Sequence, residues 1–168
     1  MENEQPKRKK NRLKNFNYNS CGAYFLIICT SDRKNYFWDS HHDITDNTQD
    51  TPLSYFGNLL NEAILNIPII YPSLSVEYYV IMPDHVHLLV MIHADEYGNP
   101  LPSPTISRVV KQLKASTSKQ IGFSIWQKSF YDHIIRNQQD YEDHIKYIFE
   151  NPIRKNHDPK AYYFARNK

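Results

Sequence analysis

Two apolar, strand-like runs joined by a single Pro-Asp pair constrain the fold of this chain more than any other feature of its sequence. The runs cover residues 75–82 and 85–93, and only Pro83 and Asp84 lie between them. Proline and aspartate are typical of tight turns, and a two-residue connection is typical of a β-hairpin. The sequence therefore predicts a hairpin here, within an antiparallel sheet.

The periodicity of apolar residues places further strands and helices around this hairpin. Continuous apolar runs predict strands, and apolar residues at helical spacing predict helices. The predicted strands are at 23–30, 75–82, 85–93 and 130–135, and the predicted helices at 53–66, 103–120 and 138–150. This order matches ferredoxin-like folds. The predicted fold class is α+β: a ferredoxin-like (RRM-like) βαββαβ sandwich with an antiparallel sheet, helices on one face and a further C-terminal helix.

Prolines mark the predicted helix ends. Pro68 and Pro72 are expected to end the first helix, and Ser103 or Thr105 is expected to cap the second. The last helix is expected to stop at Asn151-Pro152, because the residue before a proline disfavours helical backbone angles.

The chain length and its polar ends predict one domain with flanking segments. A length of 168 residues suits a single domain. We expect a basic, flexible N-terminal arm at 1–20, one folded domain at 21–155 and a C-terminal tail at 156–168. No signal peptide and no apolar run near the roughly 18 residues that span a bilayer is visible. Cys21 and Cys29 lack Cys-x-x-Cys spacing. We therefore expect a cytoplasmic protein with reduced thiols and no membrane partner.

The positive charges are concentrated in two regions, although the formal net charge is only +2. Basic residues cluster in 1–14 and in 103–136, which suggests a localised contact with phosphates. A solvated, lysine-rich surface is the alternative for each of them. The candidate nucleic-acid contacts are Arg108, Lys111, Lys114, Arg136, Lys7, Arg8, Lys9 and Lys10.

The second run of the hairpin carries the first candidate site. In a strand alternate side chains share a face, so His85 and His87 project together, about 7 Å apart along the backbone. Two imidazoles placed in this way can bind one cation, while Val86 and Leu88 project into the core on the other face. A hydrogen-bonded histidine pair on an exposed sheet face is the alternative.

The last predicted helix carries the second candidate site. Its apolar stripe is formed by Tyr141, Ile145, Ile148 and Phe149. Tyr147 lies away from this stripe, on a flank shared with His144 and Asn151, and residues four apart meet on one helix face. Tyr147 and Asn151 therefore suit a nucleophile and a metal ligand. The alternative is a surface tyrosine near a C-terminal asparagine.

Four motifs follow one another along the chain: AYFLIICTSDRKNYF, MPDHVHLLV, YDHIIRN and YIFENP. In these motifs and in their order, the chain resembles the HUH single-tyrosine transposases. It specifically resembles the REP-associated tyrosine transposases and the related insertion-sequence transposases. The resemblance covers residues 23–152, and an ordered H-x-H and Y-x-x-x-N-P is specific. One departure is Leu88, where many REP-associated relatives carry glycine.

The resemblance implies a metal-dependent enzyme that cleaves and rejoins single-stranded DNA through a 5′-phosphotyrosine. His85, His87 and Asn151 would bind a divalent metal, Mg²⁺ or Mn²⁺, and Tyr147 would be the nucleophile. His144 would be an auxiliary residue that orients Tyr147 or serves as a base. The implied partner is single-stranded DNA with hairpin or palindromic ends. A homodimer is possible, and the sequence does not decide between monomer and dimer.

Two other functions remain compatible with the sequence. One is a domesticated, non-catalytic protein that binds DNA hairpins on the same fold. The other is a metal-dependent hydrolase that uses water in place of Tyr147.

Overall fold

The computed structural model describes residues 21–39, 53–154 and 163–165 of the chain. The predicted arm at 1–20, with Lys7, Arg8, Lys9 and Lys10, lies outside the described residues. The strands are β1 (Gly22–Cys29), β2 (Leu74–Met82), β3 (His85–Ile92), β4 (Tyr131–Ile134) and β5 (Tyr163–Ala165). The helices are α1 (Tyr55–Leu65), α2 (Ile67–Ile70), α3 (Ile106–Ile121) and α4 (Gln138–Arg154).

The strands form one antiparallel sheet in the order β4-β1-β3-β2-β5. The first four strands have the predicted ferredoxin-like connectivity, and the hairpin turn at Pro83-Asp84 is confirmed. In the region expected to be a C-terminal tail, β5 extends the sheet beside β2.

Alternation along the strands gives the sheet two different faces. Val86, Leu88 and Val90 belong to the larger apolar cluster, together with residues of α1 and α3. Phe25 and Leu89 belong to a smaller cluster on the other face, which α4 covers through its buried Ile148. Two helices therefore pack on one face, as predicted, and the C-terminal helix packs on the opposite face. No helix in the described ranges is long and apolar enough to cross a membrane.

One proline-based prediction of a helix end is confirmed and another was wrong. Helix α1 ends before Pro68, at Leu65, as predicted, and Pro68 lies in the first turn of the short α2. Proline is tolerated in a first turn because its missing N–H has no helical partner there. Helix α4 continues through Asn151 and Pro152 to Arg154. The tendency of a residue before proline to leave the helix is weak enough for tertiary contacts to override, and Asn151 is held by a buried contact described below.

Lys114, on α3, ties that helix to the segment that precedes β4. Its ammonium donates to the carbonyl oxygens of Gln127, at 2.7 Å, and Ser129, at 3.1 Å. Burial lowers the pKa of Lys114. Helix α3 begins at the cap Thr105, whose side chain accepts from the Arg108 amide, and it ends at Gly122 with a left-handed φ of 95°. Lys114 therefore has a structural role in the middle of a well-capped helix.

We expect Lys114→Met to destabilise the protein, because the apolar stem is kept while two carbonyls lose a charged donor. The free energy of unfolding should fall by roughly 1–3 kcal/mol. Thermal unfolding measures this, with Lys111→Met as the control on the exposed side of the same helix. Equal melting temperatures for the two variants would show that Lys114 does not stabilise the fold.

Candidate active site

His85 and His87 lie on the face of β3 that α4 covers. Their ring centroids are 4.7 Å apart. His85 is 7% exposed and His87 is 1% exposed, so neither lies on an open sheet face. The turn at Pro83-Asp84 starts β3 at His85, and this register determines the face on which both rings project.

Helix α4 brings Asn151 and Tyr147 to the histidine pair. The Asn151 side-chain amide lies 2.7 Å from Nε2 of His87 in a buried contact. The Tyr147 ring lies 5.3 Å from the His87 ring, and Tyr147 remains 38% exposed. The structure therefore brings together the four residues singled out in the sequence.

The electrostatics of His87 suit a metal ligand. Burial, together with the nearby His85 and Arg33, lowers the pKa of His87 to about 3. The ring is therefore neutral at physiological pH, the form in which imidazole binds metals. Its Nδ1 is buried with no hydrogen-bond partner among the described residues. Two imidazoles and an amide oxygen form a donor set that fits a divalent cation.

Sequence reasoning did not identify Asp84 and Arg33. Asp84 Oδ1 lies 2.6 Å from Nδ1 of His85, and Asp84 Oδ2 accepts from Nε of Arg33 at 2.7 Å. A carboxylate on one imidazole nitrogen fixes the tautomer and directs the other nitrogen outward, as in many metal sites. The signal for Asp84 was its position directly before the H-x-H motif, where we interpreted it only as a turn residue.

Arg33 reaches this site from a strained loop. Asp32 and Arg33 both have left-handed backbone angles, with φ of 54° and 55°. Such angles are costly for residues other than glycine and are often found at functional sites. The guanidinium also donates to Sγ of Cys29 at 2.7 Å, and one of its nitrogens lies 3.4 Å from Nδ1 of His85. No local sequence pattern predicts this conformation.

A second group of side chains lies where β4 meets α4. The potential ligand atoms of His133, Asp140 and His144 are all within 4.8 Å of one another, so the group could hold a metal ion. The two imidazoles are stacked, with centroids 4.6 Å apart and planes 17° apart. Their nitrogens lie 2.9 Å and 3.2 Å from the Asp140 carboxylate. Because the two rings are stacked, the lone pairs of their nitrogens do not converge on one ion. We therefore interpret the group as two histidines hydrogen-bonded to one carboxylate.

Asn137 caps the start of α4, and Asp140 in the first turn holds the backbone that precedes it. The Asp140 carboxylate accepts from the Arg136 amide, while its own amide donates to Oδ1 of Asn137. Burial opposes ionisation of Asp140, but the Arg136 amide and the two histidines outweigh it and hold its pKa below the ordinary value.

His144 lies between Asp140 and the aromatic residues near Tyr147. Its Nδ1 lies 2.8 Å from the Asp140 carbonyl oxygen. Its ring lies 4.6 Å from Phe25, which also contacts Tyr147. The predicted auxiliary role of His144 stays a prediction.

Among the residues that the structure describes, the predicted nucleic-acid contacts do not surround the histidines. Arg108 and Lys111 are exposed on α3, which packs on the opposite face of the sheet. Lys114 is committed to backbone carbonyls, whereas Arg136 is exposed beside the start of α4.

The chain was compared with known proteins and structures. It is 32% identical over 165 residues to a Haemophilus influenzae protein of uncharacterised function, an alignment covering 87% of this chain and 88% of that protein. It is 28% identical over 97 residues to the REP-associated tyrosine transposase of Escherichia coli, covering 57% of this chain and 54% of that protein. A solved structure of a REP-associated tyrosine transposase bound to a REP hairpin matches with a TM-score of 0.60 and 22% identity, covering 86% of this chain and 74% of that one. No protein-family model matches the sequence.

The relatives point to one class of protein, the REP-associated tyrosine transposases. The chain is similar in sequence to proteins of that name and in fold to one of them. It spans about half the length of the Escherichia coli relative. The resemblance recognised in the sequence is thereby confirmed.

We expect Asp140→Asn to destabilise the protein near neutral pH by roughly 1 kcal/mol, because the Arg136 amide and the two histidines lose an ionised acceptor at the start of α4. A carboxyl group with a lowered pKa contributes stability above its ordinary pKa of 3.8, and this stability is lost as the pH falls through the lowered value. The difference from wild type should therefore disappear in strong acid.

Urea unfolding across a pH series measures this difference. Asp143→Asn, on the exposed side of α4, is the matched control and should show no such pH dependence. A wild-type advantage that persists unchanged in strong acid would contradict the assignment.

Proposed function

We propose that this protein cleaves and rejoins single-stranded DNA through a covalent link between Tyr147 and a 5′-phosphate. The observation that carries this proposal is the convergence of His85, His87, Asn151 and Tyr147. They come from two elements, β3 and α4, that are far apart in sequence. A buried histidine pair beside a partly exposed tyrosine suits phosphoryl transfer better than fold stability alone.

His85, His87 and Asn151 would hold a divalent metal, Mg²⁺ or Mn²⁺. When bound, such an ion polarises the scissile phosphate and neutralises charge that develops on its oxygens. Because imidazole suits transition metals better than Mg²⁺, we expect Mn²⁺ to support activity at least as well. Asn151 can present its amide oxygen to a cation by rotating its side-chain amide.

The chain itself supplies the nucleophile. The Tyr147 oxygen attacks the phosphorus, a new P–O bond to tyrosine forms, and the P–O bond to the 3′-oxygen breaks. The leaving 3′-oxygen takes a proton and becomes a free hydroxyl, while the tyrosine proton must be removed. His144, three residues before Tyr147, lies on the same helix flank and is the candidate base. The reverse attack by a 3′-hydroxyl rejoins the DNA and needs no nucleotide cofactor.

Asp84 and Arg33 would act through His85. The Asp84 carboxylate holds Nδ1 of His85, and Arg33 holds Asp84 from the other side. This pair fixes the ring orientation before any ligand binds. We describe both as positioning residues.

The partner we propose is single-stranded DNA with hairpin or palindromic ends. The related structure is described as bound to a REP hairpin, which supports a hairpin ligand for this chain. The scissile phosphate has to reach a site beneath α4, and a single strand bends to such a position more readily than a duplex.

Tyr147→Phe tests the nucleophile. Incubated with single-stranded oligonucleotides and Mn²⁺, wild type should form an adduct that survives denaturing gel electrophoresis, and Tyr147→Phe should form none. Tyr97→Phe, at an exposed tyrosine outside the site, is the control and should behave as wild type.

The same gels separate the other functions. Cleavage without adduct, equal in wild type and Tyr147→Phe, would identify a hydrolase that uses water. Hairpin binding with neither cleavage nor adduct would identify a non-catalytic DNA-binding protein.

Asp84→Asn tests the metal site without measuring activity. Removing the charge that orients His85 should weaken Mn²⁺ binding on the order of tenfold or more. Isothermal titration of Mn²⁺ in the absence of DNA measures this, with Asp143→Asn as the control. Unchanged affinity in Asp84→Asn would exclude the positioning role.

A further inference from the structure

An open groove of about 530 Å³ runs along α3 opposite residues 124–130. Three lysines and three serines contribute to its lining, and all of the lining residues belong to the described part of the chain. These six are Ser107, Lys111, Lys114, Ser118, Ser124 and Lys128. No acidic side chain is among the residues that line the groove.

The groove is built into the fold rather than formed by loose side chains. Nε1 of Trp126 donates to Oγ1 of Thr117 at 2.9 Å in a buried contact. The Lys114 ammonium holds the carbonyls of Gln127 and Ser129. Both contacts fix the segment 124–130 against α3, so the groove does not need a ligand to exist and loses little entropy on binding.

One wall of the groove connects to the candidate active site. The Gln127 amide donates to the Cys29 carbonyl at 3.0 Å, and the Ser31 amide donates to the Ile125 carbonyl at 2.8 Å. Cys29 pairs with His85 across the sheet. The segment 124–130 therefore runs beside the end of β1, next to the loop that carries Arg33.

The geometry points to a binding site for the phosphodiester backbone of a DNA strand in this groove, with Lys111 and Lys128 as its charged contacts. Both lysines are exposed. The neighbouring serine hydroxyls can donate hydrogen bonds to phosphate oxygens. From Ser107 to Ser118 the helix extends roughly 16 Å, enough to follow several phosphates. This inference rests on the proposed function in taking DNA as the ligand.

The inference also changes which cations are assigned to DNA. Lys114 was a candidate contact from its sequence position, but its ammonium is bound to two carbonyls and forms the floor of the groove. Lys128 takes its place as a contact. Its position beside α3 could not be recognised from helical periodicity, because it lies outside the helix.

Fluorescence anisotropy over a range of salt concentrations tests the groove with two probes, a single-stranded oligothymidine and a blunt DNA hairpin. Lys111→Gln and Lys128→Gln should each reduce the slope of log affinity against log salt by about 1, with a several-fold loss of affinity. If the variants lose affinity for the hairpin alone, the ligand of the groove is a duplex stem. If they lose affinity for oligothymidine, the ligand is a single strand.

Lys119→Gln is the matched control, because Lys119 lies in the last turn of the same helix and does not line the groove. Thermal unfolding confirms that each variant is folded. If Lys111→Gln and Lys128→Gln keep the wild-type slope and affinity on both probes, or change no more than Lys119→Gln, the inference is overturned.

Adduct formation separates this inference from the proposed function. A wild type that binds through the groove but forms no adduct would refute the proposed function and leave the groove intact.

Discussion

The packing of α4 on the histidine face of the sheet is the interaction on which the candidate site depends. Ile148 is fully buried there, and burying a side chain of this size stabilises the packing by roughly 1.5–3 kcal/mol. The same packing removes His87 from water, which keeps its ring neutral, and places Tyr147 beside it. Helix docking therefore assembles the four residues and keeps the His87 ring neutral.

The two ends of α4 are held by different chemistry. At its start, the Asp140 carboxylate accepts from the Arg136 amide and lies beside Nε2 of His133 of β4. Only three residues, 135–137, connect that strand to the helix. At its other end, the Asn151 amide contacts His87 in the interior. The contact at the start depends on the ionised Asp140 carboxylate, whereas the contact at the end depends on neutral side chains that are buried away from water. The angle of the helix is therefore fixed by two contacts that respond to different conditions.

Much of the fold followed from local patterns, whereas the surroundings of the site did not. The hairpin and the shared face of His85 and His87 were predictable, because strand alternation and turn chemistry act over a few residues. The end of α4 was mispredicted because a tertiary contact at Asn151 overrides a local preference. The Arg33–Asp84 pair joins positions 51 residues apart in the chain through a left-handed loop, and no periodicity records such a contact.

The length of the Pro83-Asp84 turn has a consequence for how sequences of this kind can diverge. Side chains in a strand alternate, so a single-residue insertion that shifts the pairing of β3 by one would exchange its two faces. Val86 and Leu88 would then face α4, and both histidines would enter the apolar core beneath α1 and α3. Loops elsewhere can change length at little cost, whereas the length of this turn decides which face of the sheet carries His85 and His87.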